Sequence, residues 1–474
     1  MTVPAIVHAV LLTALSDKYG YHRDELYFRM LPPAWGYVDQ PPLTPWLVRS
    51  FSLIADEAWA IRIPATLSIL LAMGTVVLIT REFGGGSYAQ GLCAWGFAFG
   101  VVPLSFGHVM LTASVDLVFW PAVVLCVLRA LLRNRPVWWG VAGVVAGIAT
   151  YNKLLIAGLL ISLLIGLLIN GPRKVFTTPW PWIGGVLTLV VGAPNLIYQV
   201  THHWPQLAMG AALNENNAAD TRIDMWWFLL LTLGPPLALV WGVGWLDLLR
   251  RPAWAPARFL TTAFVVLVVL TFAAGGQIYY PAGLVVVLFA IGCVSATEIM
   301  HTAERRRTVR TTVAVNAAAC ALTTLPIIPV TLLGLTPIPG INQLAREQIG
   351  WPTYTRQISD VAASLPDPSD ITLIASNYGE AGALNRYGPS FGLPVAHSGH
   401  NELYHLTTPP EDARTVIVIG AQAGIARQLF QSCHEAARLD NGLGIDNEEQ
   451  GQPVLVCHRT QPWSTIWPRF QHLN

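Results

Sequence analysis

Charged residues make up only 12% of this 474-residue chain, where a soluble domain carries roughly 25%. That shortfall excludes an ordinary water-soluble globule and points to a bilayer, whose lipid tails solvate apolar side chains directly. No basic tract with interleaved aromatics is present, which leaves nucleic acid out as a partner. No CxxC pair and no Cys/His cluster at metal-ligand spacing occurs among the six cysteines, so no metal site has a sequence signature. Cys93, Cys126, Cys293 and Cys320 fall in apolar runs and read as small core residues. Cys433 and Cys457 fall in a polar stretch, where they either pair in an oxidising compartment or stay as buried thiols. A cleavable leader is also missing: residues 4–16 are apolar but lack a basic start and a small-residue cleavage site. They are shorter than the ~20 residues a span needs, so this segment is either tilted and half-buried in protein or begins late. Neither a 20–50-residue repeat nor a low-complexity linker is visible.

What is present is apolar: 53% hydrophobic residues and a mean hydropathy of +0.49. The apolar segments predict eleven spans, near 2–16, 63–80, 88–106, 114–131, 137–150, 155–170, 180–199, 226–247, 259–275, 279–297 and 311–333. The fifth and sixth are short and meet at Tyr151-Asn152-Lys153, so they also read as one broken hairpin. Alternate loops carry Arg81; Arg129, Arg133 and Arg135; Arg173 and Lys174; Arg250, Arg251 and Arg258; and Arg305, Arg306, Arg307 and Arg310. These are 13 of the 20 basic residues in 1–340, and the positive-inside rule makes that side cytoplasmic. The opposite loops, 17–62, the region near 107–113, 200–225 and the turn at 275–279, then lie outside. The predicted fold is therefore mostly α and polytopic, a transmembrane domain over 1–340.

Residues 341–474 differ, with eight Arg, no Lys and 13 acids. Ile371–Ala375, Thr415–Ile419 and Val454–Cys457 predict buried strands. Arg356–Leu365, Gly379–Tyr387 and Ile425–Ala437 predict helices. The alternation implies a small α/β domain with a partly parallel sheet. An odd number of spans places it outside the cytoplasm, after a join near residues 336–340.

The first external loop concentrates the chemistry. It reads Tyr21-His22-Arg23-Asp24-Glu25-Leu26-Tyr27-Phe28-Arg29, then Trp35-Gly36-Tyr37-Val38-Asp39-Gln40-Pro41-Pro42-Leu43. Leu26, Met30 and Ala34, then Leu43, Leu47 and Phe51, suit short interfacial helices. Asp24 and Glu25 stand at the start of the first, about 100° apart around it. One can face a substrate while the other holds structure; the plainer reading makes them N-terminal acids favoured by the helix dipole. Asp116 falls at the outer end of the fourth span, where an acid needs a partner or water. Lys153, at the junction of two short spans, either binds an anionic headgroup or snorkels. Arg23 and Arg29 either complete a phosphate-binding cluster or neutralise the neighbouring acids. Tyr279 and Tyr280 close the last outer turn, a place where tyrosines usually anchor a span.

These stretches, with Arg81-Glu82-Phe83-Gly84-Gly85-Gly86, Ala149-Thr150-Tyr151-Asn152-Lys153, Pro194-Asn195-Leu196, His203-Trp204-Pro205, Tyr279-Tyr280-Pro281 and Ser376-Asn377-Tyr378-Gly379-Glu380, resemble the GT-C superfamily. The match is to family 39-like members of the dolichyl-phosphate-mannose protein mannosyltransferase and bacterial aminoarabinose transferase type, over nearly the whole chain. The resemblance implies sugar transfer from a polyprenyl-phosphate donor to an envelope lipid, glycan or protein at the outer face of the cytoplasmic membrane. It makes Asp24 the catalytic base, Asp116 a supporting acid, and Lys153 and Arg29 phosphate-binding cations, with Arg23, Tyr279 and Tyr280 beside the substrate. Glu25 is counted with the catalytic acids as the residue that shapes the loop. Related sequences often carry a basic residue before the tyrosine pair, where this chain has Gln277. No cofactor follows, and a divalent cation stays open. The competing reading, a transporter or flippase of a lipid-linked sugar, predicts acids near the bilayer midplane and repeated halves; here the acids gather at the outer side.

Overall fold

The computed structural model describes residues 1–367 and 370–474. Apolar composition turns into helix length. The first 132 residues form α1 (Thr2–Leu15), α2 (Arg23–Met30), α3 (Leu43–Ser52), α4 (Ala58–Glu82), α5 (Ser87–Ala98), α6 (Val101–His108) and α7 (Thr112–Leu132). Then come α8 (Val137–Ala149), α9 (Ile156–Asn170), α10 (Trp180–Thr201), α11 (Pro205–Leu231), α12 (Pro235–Arg250), α13 (Phe259–Ala274), α14 (Ala282–Glu298) and α15 (Ala303–Thr324). Among the described residues, α4, α7 and α10 are each long and apolar enough to cross a membrane alone. Two bent pairs qualify jointly, α5 with α6 at 56° and α11 with α12 at 90°. The helices α1, α8, α9, α13 and α14 are apolar but shorter. Eleven full spans are thus not what the helix lengths give; several predicted spans are short or broken.

Two elements differ from expectation. The segment 200–225, read as a loop, is mostly helical and belongs to α11. The predicted span 226–247 is broken at Gly234, whose φ of 98° and following Pro235 end one helix and start another.

Contacts divide the described chain into two units. The first, Met1–Ser16, Ala34–Thr44 and Arg62–Leu325, is the apolar helical bundle. Its helices meet through small residues, as expected where apolar burial gives little net drive between helices. A Cβ on Gly143 of α8 would collide with the Gly184 carbonyl of α10, and one on Gly292 of α14 with the Val240 carbonyl of α12. Only glycine permits these backbones to approach so closely.

The second unit, Asp17–Pro33, Pro45–Ile61 and Pro326–Asn474, contains a mixed sheet. Its strands are β1 (Ile371–Ala375), β2 (Ala396–Ser398), β3 (Thr415–Ile419), β4 (Gln431–Arg438) and β5 (Pro453–His458), in the order β2-β1-β3-β5-β4. β1 pairs parallel with β2 and β3, whereas β5 runs antiparallel to β3 and β4. The partly parallel α/β sheet is as expected. Ile374, Val418, Leu455, Trp463 and Phe470 fill one core against it. The predicted helix Ile425–Ala437 stops at Leu429, and its second half is β4. A disulfide joins Cys433 of β4 to Cys457 of β5, which resolves the two readings of these cysteines. The units also do not follow the division at 340, because two pieces of the first loop pack within the second unit. A Cβ on Gly382 of helix Tyr378–Tyr387 would lie 2.7 Å from the Leu26 Cβ of α2.

Candidate functional site

In the helical unit, α7 is started by Ser114, whose hydroxyl donates to the Val109 carbonyl (3.1 Å) and accepts the Leu111 N–H (3.2 Å). The helix therefore begins at Thr112 and carries Asp116 one turn in. The turn between α8 and α9 supplies Asn152, fully buried. Its amide donates to the Thr112 carbonyl (2.8 Å) and to Asp116 Oδ1 (2.7 Å), and its Oδ1 accepts from Thr44 Oγ1 (2.7 Å). The Leu43 N–H, donating to the Tyr151 carbonyl at 2.8 Å, ties the end of the first loop to the same turn. Asp116 Oδ2 has no hydrogen-bond partner. Buried polar atoms are normally paired, so an unpaired carboxylate oxygen beside a recess marks a place for a ligand or water.

That recess is small and open to one side, lined by Asp116, Phe106, Trp120, Leu155, Tyr279 and Tyr280 among others. Lys153 stands behind the tyrosines. Its Nζ is 3.5 Å from Tyr279 Oη and 3.5 Å from Thr112 Oγ1, and 5.0 and 5.5 Å from the ring centroids of Tyr280 and Tyr279. Cation–π contact and two long hydroxyl contacts hold the ammonium there; among the described residues no carboxylate is in ion-pair range of it. Sequence-predicted Asp116, Lys153, Tyr279 and Tyr280 are thus brought together within one unit, one from a helix and three from turns far apart in the chain. Asn152 was visible only as part of the Tyr151-Asn152-Lys153 motif, and Thr44 had no sequence signal.

The second unit holds Arg23, Asp24, Glu25 and Arg29, all on α2. His22 caps that helix: its Nδ1 accepts the Asp24 N–H at 3.2 Å, while Glu25 Oε2 accepts the His22 N–H at 2.8 Å. This is a capping box in which histidine takes the place of serine or threonine. Glu25 is fully buried and its carboxylate serves the backbone. Asp24 is half-buried and turned elsewhere, accepting from Tyr378 Oη at 2.9 Å. Arg23 pairs with Glu448, approaches Glu347 to 3.9 Å, and lies 4.7 Å above the Tyr378 ring. Arg29 pairs with Asp56. The two arginines therefore neutralise neither Asp24 nor Glu25; they meet acids distant in sequence.

The surrounding electrostatics follow from burial and pairing. Burial alone lowers the His22 pKa, yet the Glu347 hydrogen bond and the nearby acids outweigh it and raise it. Burial would raise Glu347, but His22 and Arg23 hold it below the usual carboxylate range; the two lie 3.2 Å apart. Glu449 is pushed up to about 7 by burial, against the pull of Arg23. Burial keeps the Tyr378 hydroxyl protonated well above its ordinary range, and Arg23 opposes this. Among the described residues no group of three His, Cys, Asp or Glu has metal-site geometry.

Residues 39–198 match the model of the dolichyl-phosphate-mannose-protein mannosyltransferase family. No curated protein sequence matches the chain. Among solved structures it is similar to ArnT from Cupriavidus metallidurans, in the apo state with a TM-score of 0.60 and bound to undecaprenyl phosphate with a TM-score of 0.57. In both comparisons identity is 16%, over 96% of this chain and 97% of that one. An oligosaccharyltransferase from Archaeoglobus fulgidus, with Zn and sulfate, aligns at a TM-score of 0.43 and 12% identity, over 88% of this chain and 68% of its own.

Proposed function

From the GT-C fold of this chain, of the mannosyltransferase-like and ArnT type, we propose that it moves a sugar from a polyprenyl-phosphate donor to an acceptor hydroxyl at the outer face of the cytoplasmic membrane. The observation that carries this reading is Lys153: an ammonium in no direct ion pair among the described residues, with Asp116 acting on it only across a longer distance, and held by Tyr279 and Tyr280 beside a recess. A lipid phosphate offers an anion for direct contact with it, and a fixed cation stabilises the charge that phosphate gains as the sugar departs. The solved ArnT of the same fold binds undecaprenyl phosphate, the same class of ligand. Asp116 Oδ2 adds an acceptor for a hydroxyl of the donor.

An acceptor hydroxyl is a poor nucleophile and needs a carboxylate to take its proton, a service worth roughly 10²- to 10⁴-fold. Asp24 has that role, since Glu25 is committed to the helix cap. One base and no enzyme nucleophile amount to a single displacement that inverts the sugar carbon. The Cys433–Cys457 disulfide supports an oxidising compartment for the second unit, and the basic residues of the alternate loops support the same sidedness. The acceptor class, lipid, glycan or protein, is set by pocket shape.

The test is product formation from purified protein and radiolabelled polyprenyl-phosphate sugar, without any transmembrane gradient. Asp24→Asn is expected to fold and to lose transfer by at least about 100-fold. Full activity of that variant removes Asp24 as base. Sugar translocation without product would favour a flippase.

A further inference from the structure

The hydroxyl on Asp24 comes from the α/β part of the second unit, more than three hundred residues along the chain. Among the described residues Tyr378 is the one side chain that hydrogen-bonds this carboxylate. Its own position is fixed from several directions. Asn377 caps helix Tyr378–Tyr387, its Oδ1 accepting the Glu380 N–H at 2.8 Å. The Tyr378 N–H donates to His400 Nδ1 at 3.2 Å. The ring packs against Tyr27 and His400, each with centroids 4.8 Å apart, and against the Arg23 guanidinium at 4.7 Å. His400 in turn stacks on His472 at 4.5 Å. Gly379 keeps the helix against α2, because a Cβ there would lie 2.9 Å from the Arg23 Cβ. A ring so enclosed cannot swing, and its hydroxyl has one aim.

We infer that Tyr378 is a positioning residue for transfer: it holds one oxygen of the Asp24 carboxylate so that the other is presented to the acceptor hydroxyl. The inference rests on Asp24 being the base. A carboxylate on a short side chain has a broad terminal torsion, so a half-buried aspartate left to itself samples orientations that cannot take the proton. A hydrogen bond from a locked donor removes those orientations before the acceptor arrives. The hydroxyl remains a donor throughout, because burial raises its pKa. The α/β part of this unit would thus act on the chemical step itself.

The experiment compares Tyr378→Phe with Tyr378→Leu and Asp24→Asn in the full-length protein, measuring kcat, donor and acceptor KM, and melting temperature. Phenylalanine keeps the ring contacts and loses only the hydroxyl. Tyr378→Phe is expected to lower kcat by about 10- to 100-fold, the worth of a hydrogen bond to a charged group, with donor KM unchanged and melting temperature preserved. Combined with Asp24→Asn it should cost nothing further, since both act through one carboxylate. Full kcat in Tyr378→Phe, with Asp24→Asn inactive, overturns the positioning role and leaves the base assignment standing. Loss of kcat in Tyr378→Phe that comes with melting more than about 5 °C lower, and no worse in Tyr378→Leu, makes the residue structural and also overturns it. Full activity in Asp24→Asn removes the base, and the inference with it.

Discussion

Glu25 gives its carboxylate to the His22 N–H, whereas Asp24, one residue earlier, gives its own to Tyr378. Glu25→Ala should therefore lower stability by about 1–2 kcal/mol, the usual cost of a lost cap, whereas Glu25→Gln keeps the hydrogen bond and most of the stability; thermal unfolding of the two variants checks this. Lys153 is different, because its direct contacts are aromatic faces and hydroxyls, with Asp116 acting on it only across a longer distance. Lys153→Ala should raise donor KM about tenfold or more, the scale of one charge-assisted contact, without a matching change in acceptor KM; an unchanged donor KM removes Lys153 from the phosphate site. The sequence made the difference between the two acids foreseeable, since adjacent helical residues point apart, and it marked Lys153 by its isolation between short apolar runs. It held no sign of Glu448 and Asp56 as the partners of Arg23 and Arg29. Ion pairs between separate elements, whether 27 positions apart like Arg29 and Asp56 or at opposite ends of the chain like Arg23 and Glu448, are set by packing, and a single chain of letters carries no record of them.

The elements were legible where a pattern of burial repeats. β1, β3 and β5 are short apolar runs because both faces are covered, and their sequence shows it. β4 was missed because most of its residues are exposed, so it has neither an apolar run nor alternation and reads as a polar helix. α11 was missed for a related reason: its first half, with Asn214-Glu215-Asn216-Asn217, lacks the hydropathy of a span. At this scale the titrating acids make a prediction. Glu449 has a folded pKa of about 7, raised first by burial from 4.5, so the native state holds a proton that the unfolded chain releases. Its effect is absent below pH 4.5, grows as pH rises, and is complete above 7; the sign is a loss of stability toward alkaline pH. Glu380, also raised by burial, acts in the same direction. Glu347 is lowered, so its stabilisation is lost as pH falls below 4.5. Unfolding of the protein should accordingly require most heat near pH 4.5, and Glu449→Gln should flatten the decline between pH 4.5 and 7.

On the scale of the whole chain, scarce charge and long apolar runs announced a membrane protein, and the helical unit agrees with that. The number of spans was less legible, because broken pairs such as α5 with α6 carry the composition of one span in two pieces. The proposed sidedness rests on loop charge and the disulfide, and it is open to a direct check. In intact cells Cys433 and Cys457 should resist thiol labelling until a membrane-impermeant reductant is added, and then react. Labelling by a membrane-permeant thiol reagent without reductant, and none by an impermeant one, would place them inside.

The second unit is assembled from three separate stretches, Asp17–Pro33, Pro45–Ile61 and Pro326–Asn474, and α2 lies against Gly379 and Gly382 of its helix. Such a unit is not a cassette. Removing 341–474 alone would strip the cover from Leu26 and the partners from Arg23, so truncation tests folding as much as acceptor choice. Exchange between relatives faces the same rule: a chimera that imports the C-terminal part must import both loop segments with it. Recombination at one junction breaks what the fold keeps together, so the first loop and the C-terminal part should be inherited as a set.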